Sequence, residues 1–95
     1  MDFDTLVHQP TRLQLFAYLY RHGESSFSEI VDELDMTEGN LASHMNKLED
    51  ADCVAVEKQF VDGSPQTTYR LTDHGREKFE EHVGQLEALI ESLEE

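Results

Sequence analysis

Apolar positions recur in two rhythms along the chain, first helical, then alternating, then helical again. From Pro10 to Arg21, Leu13, Phe16, Ala17 and Tyr20 form one stripe, widened by Leu15 and Leu19. Pro10 suits the first turn of a helix, and His22-Gly23 supplies a stop. Upstream, Phe3, Leu6 and Val7 predict a short amphipathic turn. Ser26 followed by Glu29 is a capping-box pattern, and Phe27, Ile30, Val31 and Leu34 then give one clean buried face. Thr37 starts a third helix, 37–49, with Leu41, Met45 and Leu48 pointing inward and Met36 placed to staple onto Leu41. Only Asp35 and Met36 separate the second and third helices, a link that forces the sharp crossing of a helix-turn-helix.

From Val54 the period becomes two. Val54, Val56, Lys58 and Phe60 share one face, and Ala55, Glu57, Gln59 and Val61 share the other. "DGSP" at 62–65 reads as a turn and "TTYRL" at 67–71 as a second strand, which makes a β-hairpin. Thr72 caps a final helix reaching Leu93, where Phe79, Val83, Leu86, Ile90 and Leu93 step by four, three, four and three, an a/d seam. The order helix, helix, helix, hairpin, helix predicts a mainly α winged helix-turn-helix with a β-hairpin wing (α+β). Residues 1–71 form the winged unit, and 72–95 form a long helix of the same compact body, suited to dimerisation.

The third helix explains an odd stretch, "EGNLASHMNKLEDAD" (38–52), which is rich in short polar side chains. A helix that enters a major groove needs such groups to read base edges. Thr37, Asn40, Ser43, His44 and Lys47 are the candidate contacts there, with Lys58 and Arg70 on the wing. Arg12 or Arg21 would lie at the edge. Gly39 is expected to let backbone approach a phosphate or the second helix.

At this point the chain resembles a known family. "HQPTRLQLFAYL", "SFSEIVDELDMTEGNLASHMNKLEDADCV" and "TTYRLTDHGREKF" stand in the order and spacing of small archaeal and bacterial winged-helix transcriptional regulators. These are related to the ArsR- and MarR-like repressors, the metal-sensor and multidrug-resistance groups. The resemblance implies a homodimeric DNA-binding regulator of transcription. Two departures stand out: Asp52 occupies a turn where the family usually has Gly, and the wing holds few Arg or Lys.

Composition changes the picture in one respect. Seven Lys and Arg against 21 Asp and Glu give −14, which ordinarily argues against a nucleic-acid partner. The acids are unevenly spread, however. Residues 37–49 and 54–71 together carry −1, and the other 64 residues carry −13. Acid-rich, lysine-poor folded chains resemble those of halophiles, which work in molar salt where charge repulsion is screened within about 3 Å.

The remaining chemistry is sparse. Cys53 is expected to be a buried, inert thiol, since Asp50 and Asp52 are the wrong neighbours for a reactive one. His74 and His82, with Asp73 and Glu81, suggest a metal site, but Lys78 between them would repel a cation, so a solvated face is expected and no metal. No catalytic constellation, cofactor motif, small-molecule ligand or membrane-spanning run emerges, and the cytoplasm is the default location. The expected partners are double-stranded DNA and a second copy of the chain. The alternative is a winged-helix protein–protein interaction module that does not touch DNA.

Overall fold

The computed structural model describes residues 2–94. Its elements are α1 (Thr5–His8), α2 (Pro10–His22), β1 (Ser25–Ser26), α3 (Phe27–Leu34), α4 (Glu38–Asp50), β2 (Val54–Val61), β3 (Ser64–Leu71) and α5 (Asp73–Ser92). The winged-helix order is therefore present: a one-turn helix and three longer helices in the head, a hairpin wing, and a closing helix. Among the described residues no helix is long and apolar enough to cross a membrane.

Each helix starts where its sequence provides a cap. Ser26 accepts from the Glu29 N–H while the Glu29 carboxylate returns to the Ser26 N–H, the full capping box. Thr37 accepts from the Asn40 N–H, and Thr72 from the Gly75 N–H. Gly23 ends α2 at φ 78°. The sharp α3–α4 turn rests on Asp35, which adopts φ 51° while its N–H returns to the Val31 carbonyl. Asp is among the few side chains that enter this left-handed region readily.

The core joins Val7, Leu15, Phe16, Leu19, Ile30, Leu41, Met45, Leu48, Cys53, Val54, Tyr69 and Phe79. The stripe on α2 is rotated from its expected position. Leu15, Phe16 and Leu19 are fully buried, whereas Ala17 is exposed and Tyr20 lies at the surface. Tyr20 instead donates to the Glu80 carboxylate at 2.7 Å, with the Arg76 guanidinium 4.8 Å above its ring. Of the expected staple residues, Leu41 belongs to the core and Met36 is partly buried against it.

The hairpin is tighter than the sequence suggested. Val61 pairs with Ser64, so the turn is Asp62-Gly63 alone, both at positive φ as a two-residue primed turn requires. Pro65, expected in the turn, lies in β3 opposite Phe60. A proline is tolerated there because β1 pairs with β3 only at Thr68 and Tyr69, leaving that edge open at residue 65. The β1 strand was not expected. Ser25 and Ser26 carry no strand propensity, and their pairing with Tyr69 and Thr68 is supplied by the tertiary fold.

Two features tie α5 to the rest. Its first turn sits on the backbone that follows α4. The Thr72 hydroxyl donates to the Asp52 carbonyl at 2.6 Å, and the Thr72 N–H donates to the Cys53 carbonyl at 3.0 Å. A Cβ at Gly75 would overlap the Cys53 carbonyl group. Farther along, His82 is almost wholly buried, its Nε2 3.0 Å from His8 Nδ1, with the Phe3 ring edge-on. The solvated histidine face expected on this helix is thus wrong for His82, because the N-terminal segment folds over it. Lys78, which the sequence placed between the two histidines as a charge repelling a metal, pairs with Asp4 at 2.7 Å in the same contact. Burial and then the nearby His8 hold the His82 pKa below its ordinary value. Among the described residues no group of three His, Cys, Asp or Glu side chains could hold a metal ion.

Gly75→Ala should therefore destabilise the fold by about 3 kcal/mol, the upper range for forcing atoms into a packed site. Gly84→Ala, where a Cβ meets open space, should stabilise α5 by roughly 0.5–1 kcal/mol. Thermal melts of the two variants measure both, and equal melting temperatures would contradict this packing.

Candidate nucleic-acid interface

The α4 helix buries Leu41, Met45 and Leu48 and turns the rest outward. Asn40, Ser43, His44 and Lys47 are spaced i, i+3, i+4 and i+7, so they form one continuous stripe. Asn40, Ser43 and Lys47 are exposed and His44 is half-buried. Of the acids of this helix, Glu38 and Glu49 follow the opposite flank with Ala42 and Asn46, whereas Asp50, three residues past Lys47, closes the C-terminal end of the stripe. From Asn40 to Lys47 the stripe therefore holds hydroxyl, amide and imidazole groups and one cation, and its one carboxylate, Asp50, stands at the C-terminal end.

Three candidate residues have other local roles. Thr37 spends its hydroxyl oxygen on the Asn40 N–H at 3.1 Å, so its first task is capping. On the wing, Lys58 pairs with Thr67 and Arg70 with Ala55. Directly paired residues share a face and neighbours alternate, so Lys58 and Arg70 lie on opposite faces of the ribbon. A single strand of phosphates passing one face meets one of them. The wing tip is apolar, with Phe60 78% and Val61 43% exposed. Gly39 gives a smaller surprise: a Cβ there would meet nothing within 4 Å, so close packing against α3 does not explain it.

Of the two arginines expected at the edge, Arg12 is the one that reaches the stripe through a side-chain contact. Arg12, at the start of α2, donates from Nε to the Leu6 carbonyl at 2.7 Å and from Nη2 to the Thr5 carbonyl at 3.3 Å. Its Nη1 lies 3.3 Å from His44 Nδ1. The guanidinium thus closes the C-terminal end of α1 and reaches the stripe on α4, 32 residues away. No periodicity within one element reports such a contact. Burial first, then Arg12, then Lys47, hold the His44 pKa below its ordinary value, so the ring is neutral at neutral pH. Cys53 is fully buried at the end of this helix, and burial pushes its thiol pKa up, as an inert core thiol requires.

The apolar seam on α5 divides in two. Phe79 is buried in the chain's own core, stacked 6.0 Å from Phe16, and Val83 packs against that core. Phe79 therefore has little surface left for a second chain. Leu86 is half-buried, while Leu89, Ile90 and Leu93 are 39, 57 and 78% exposed. From Glu87 on, every described residue is exposed, and this half of α5 projects along the 57 Å long axis of the molecule.

A helix-turn-helix with a polar outer stripe, a two-stranded wing and a closing helix defines the winged-helix class, with a transcriptional-regulator-like fold. Residues 11–90 match the family of winged helix DNA-binding domains, and the chain belongs to that family. It is 29% identical over 89 residues to MJ0432 of Methanocaldococcus jannaschii, an uncharacterized protein, covering 94% of this chain and 97% of that one. A transcriptional regulator homologue from Pyrococcus horikoshii superposes with a TM-score of 0.89 at 33% identity, over 95% of this chain and 89% of that one. Overoxidized AbfR, solved bound to DNA, shares the fold with a TM-score of 0.75 at 22% identity, over 90% and 69% of the two chains.

The cap and the stripe separate by stability. Thr37→Ala should cost about 1 kcal/mol through the lost cap. Asn40→Ala and Ser43→Ala, which touch no packed neighbour with their side chains, should each stay within roughly 0.5 kcal/mol of the parent. Urea titration of the three variants tests this division, and a large loss at Asn40 or Ser43 would give the stripe a structural task instead.

Proposed function

We propose that this chain is a homodimeric, sequence-specific DNA-binding regulator of transcription, acting in the cytoplasm. Residues 1–71 form the reading unit and 72–95 the pairing helix. The α4 helix enters the major groove and presents Asn40, Ser43, His44 and Lys47. The wing, 54–71, flanks the neighbouring backbone through Lys58 or Arg70. The observation that carries this reading is the run of polar groups from Asn40 to Lys47 on the outer face of α4, with a carboxylate only at its C-terminal end (Asp50), in a chain of net charge −14. Asn pairs well with adenine, Lys with guanine or phosphate, and Ser with either base type. The family to which the chain belongs supports the same reading, as does the DNA-bound state of AbfR.

Pairing follows from the projecting half of α5. Leu86, Leu89, Ile90 and Leu93 are apolar residues on a helix that leaves its own domain. Burying them against a second copy removes apolar surface from water at roughly 25 cal/mol per Å². Two linked heads then read half-sites about 34–36 Å apart.

Asn40→Ala with Ser43→Ala should cost roughly 1–3 kcal/mol of operator affinity for each base pairing lost, with no loss of fold. Leu86→Asp with Ile90→Asp should give a folded monomer that no longer holds the operator. Fluorescence anisotropy and sedimentation read these outcomes. Full affinity in the first pair, or a parent that sediments as a monomer at micromolar concentration, would sink the respective part.

Salt provides a separate test. A basic DNA binder loses affinity with a log–log slope near −0.9 per phosphate neutralised. Here hydrogen bonds from uncharged groups dominate the stripe, and the carboxylates repel DNA over a Debye length of about 30 Å at 0.01 M salt. Affinity should be flat or rise with KCl towards molar concentrations. A steep fall in folded protein, checked by circular dichroism, would reveal a conventional basic surface.

A further inference from the structure

Arginine carries five N–H donors and no acceptor. At the 3.3 Å contact between Arg12 and His44, the His44 Nδ1 must therefore be the acceptor. An imidazole whose Nδ1 accepts, and which is neutral, carries its proton on Nε2. The two nitrogens of His44 thus have fixed and different duties. Nδ1 is bound to the guanidinium, and Nε2 is an N–H donor on the other side of the ring. The burial and the cationic neighbours that lower the His44 pKa keep the ring in this single-proton state at neutral pH.

The position of His44 limits what that donor meets. It is the half-buried member of the outer stripe, at the flank nearest the body of the domain, while Asn40, Ser43 and Lys47 are exposed. The N-terminus of α2 lies beside it, since Arg12 is the third residue of that helix. Arg12 spends three donors on Leu6, Thr5 and His44, which leaves two of its five unspent. A group seated at this flank would meet a fixed neutral donor from His44 and the positive field of a guanidinium already held in place. The stripe's carboxylate, Asp50, stands six residues farther along the helix, about 9 Å by its rise.

We infer that Arg12 sets the tautomer of His44 so that its Nε2–H donates to a DNA backbone phosphate at the edge of the major groove, making Arg12 a positioning residue for the reading helix. This rests on the DNA-binding reading above. A phosphodiester suits the site because it offers acceptors alone and bears a negative charge, whereas base edges mix donors with acceptors. The opposite tautomer would turn a lone pair towards the phosphate and repel it. The contact also suits an acidic chain. A neutral imidazole binds phosphate without adding a charge, and Arg12 is held by two backbone carbonyls instead of by one of the many carboxylates.

The test has an arm without DNA and an arm with it. In the free, full-length protein, long-range ¹H–¹⁵N correlation spectra of the histidine rings should show His44 protonated at Nε2. Arg12→Met, which keeps the chain length but has no donor, should turn this into a tautomer mixture in protein that circular dichroism shows is folded. Protonation at Nδ1 in the parent, or an unchanged ring in Arg12→Met, overturns the role of Arg12. In the second arm, anisotropy measures the parent's best duplex, chosen by selection from a random pool, and its single-base variants. His44→Ala should bind about two- to tenfold more weakly, the range for one lost hydrogen bond. The loss should be similar on every duplex, as a phosphate contact requires. His44→Gln, whose amide donates, should recover most of it. Replacing one flanking phosphate by a neutral methylphosphonate should abolish the difference between parent and His44→Ala. A loss confined to one base position overturns the phosphate assignment in favour of base reading. Equal binding by His44→Ala overturns the contact while leaving the DNA-binding reading intact. A parent that selects no duplex overturns that reading and the contact together.

Discussion

The structure depends on one close approach, the seating of Gly75 on the backbone of Cys53. At this point the end of α4, the start of the wing and the start of the closing helix meet. Asp52 turns the chain at φ 61°, Cys53 buries its thiol, and Val54 begins the strand. Thr72 then clamps the same two residues from the other side with its hydroxyl and its N–H. Only a residue without a side chain lets the first turn of α5 lie flat on the Cys53 carbonyl. The angle between α4 and the wing and that between α4 and α5 are therefore set together. The run "LTDHG" has a physical meaning here: cap, acid at a helix start, and a glycine that fits against a carbonyl.

Much of the fold was legible because its helices announce their own ends. Ser26, Thr37 and Thr72 each perform the capping that their position predicts, and the interior of α4 follows its period without exception. What was illegible depends on partners distant in sequence. The β1 strand exists because Thr68 and Tyr69 come to meet it. His82 is dry because Phe3 and His8 cover it, 74 residues away in the case of His8. Arg12 reaches His44 for the same kind of reason. The wing shows a subtler limit. Its strands and faces could be read from alternation, but the residues that Lys58 and Arg70 stand opposite depend on the register, which a turn two residues shorter than expected decides.

The acidic composition and the turn geometry are linked. Among the described residues, the non-glycine positions at positive φ are Asp35, Asp52 and Asp62. Each is a tight turn where glycine would relieve strain and where asparagine or aspartate is the next best choice. Surplus negative charge is thus placed at exposed turn tips, where a carboxylate displaces no packed neighbour. The departure at Asp52 from the glycine usual in the related repressors belongs to this pattern.

The projecting half of α5 has a mechanical consequence. The reading unit is bolted to the first part of a helix 20 residues long, and in the proposed pair the last part would grip the other copy. Such a helix is a lever arm of about 30 Å. Tilting it by ~10° swings its far end by ~5 Å, more than the ~3.4 Å between successive base pairs of a duplex. Small changes in how two such arms cross would shift the heads from one spacing of half-sites to the next. The gearing of the pair thus lies in a stretch of helix that need never approach the nucleic acid.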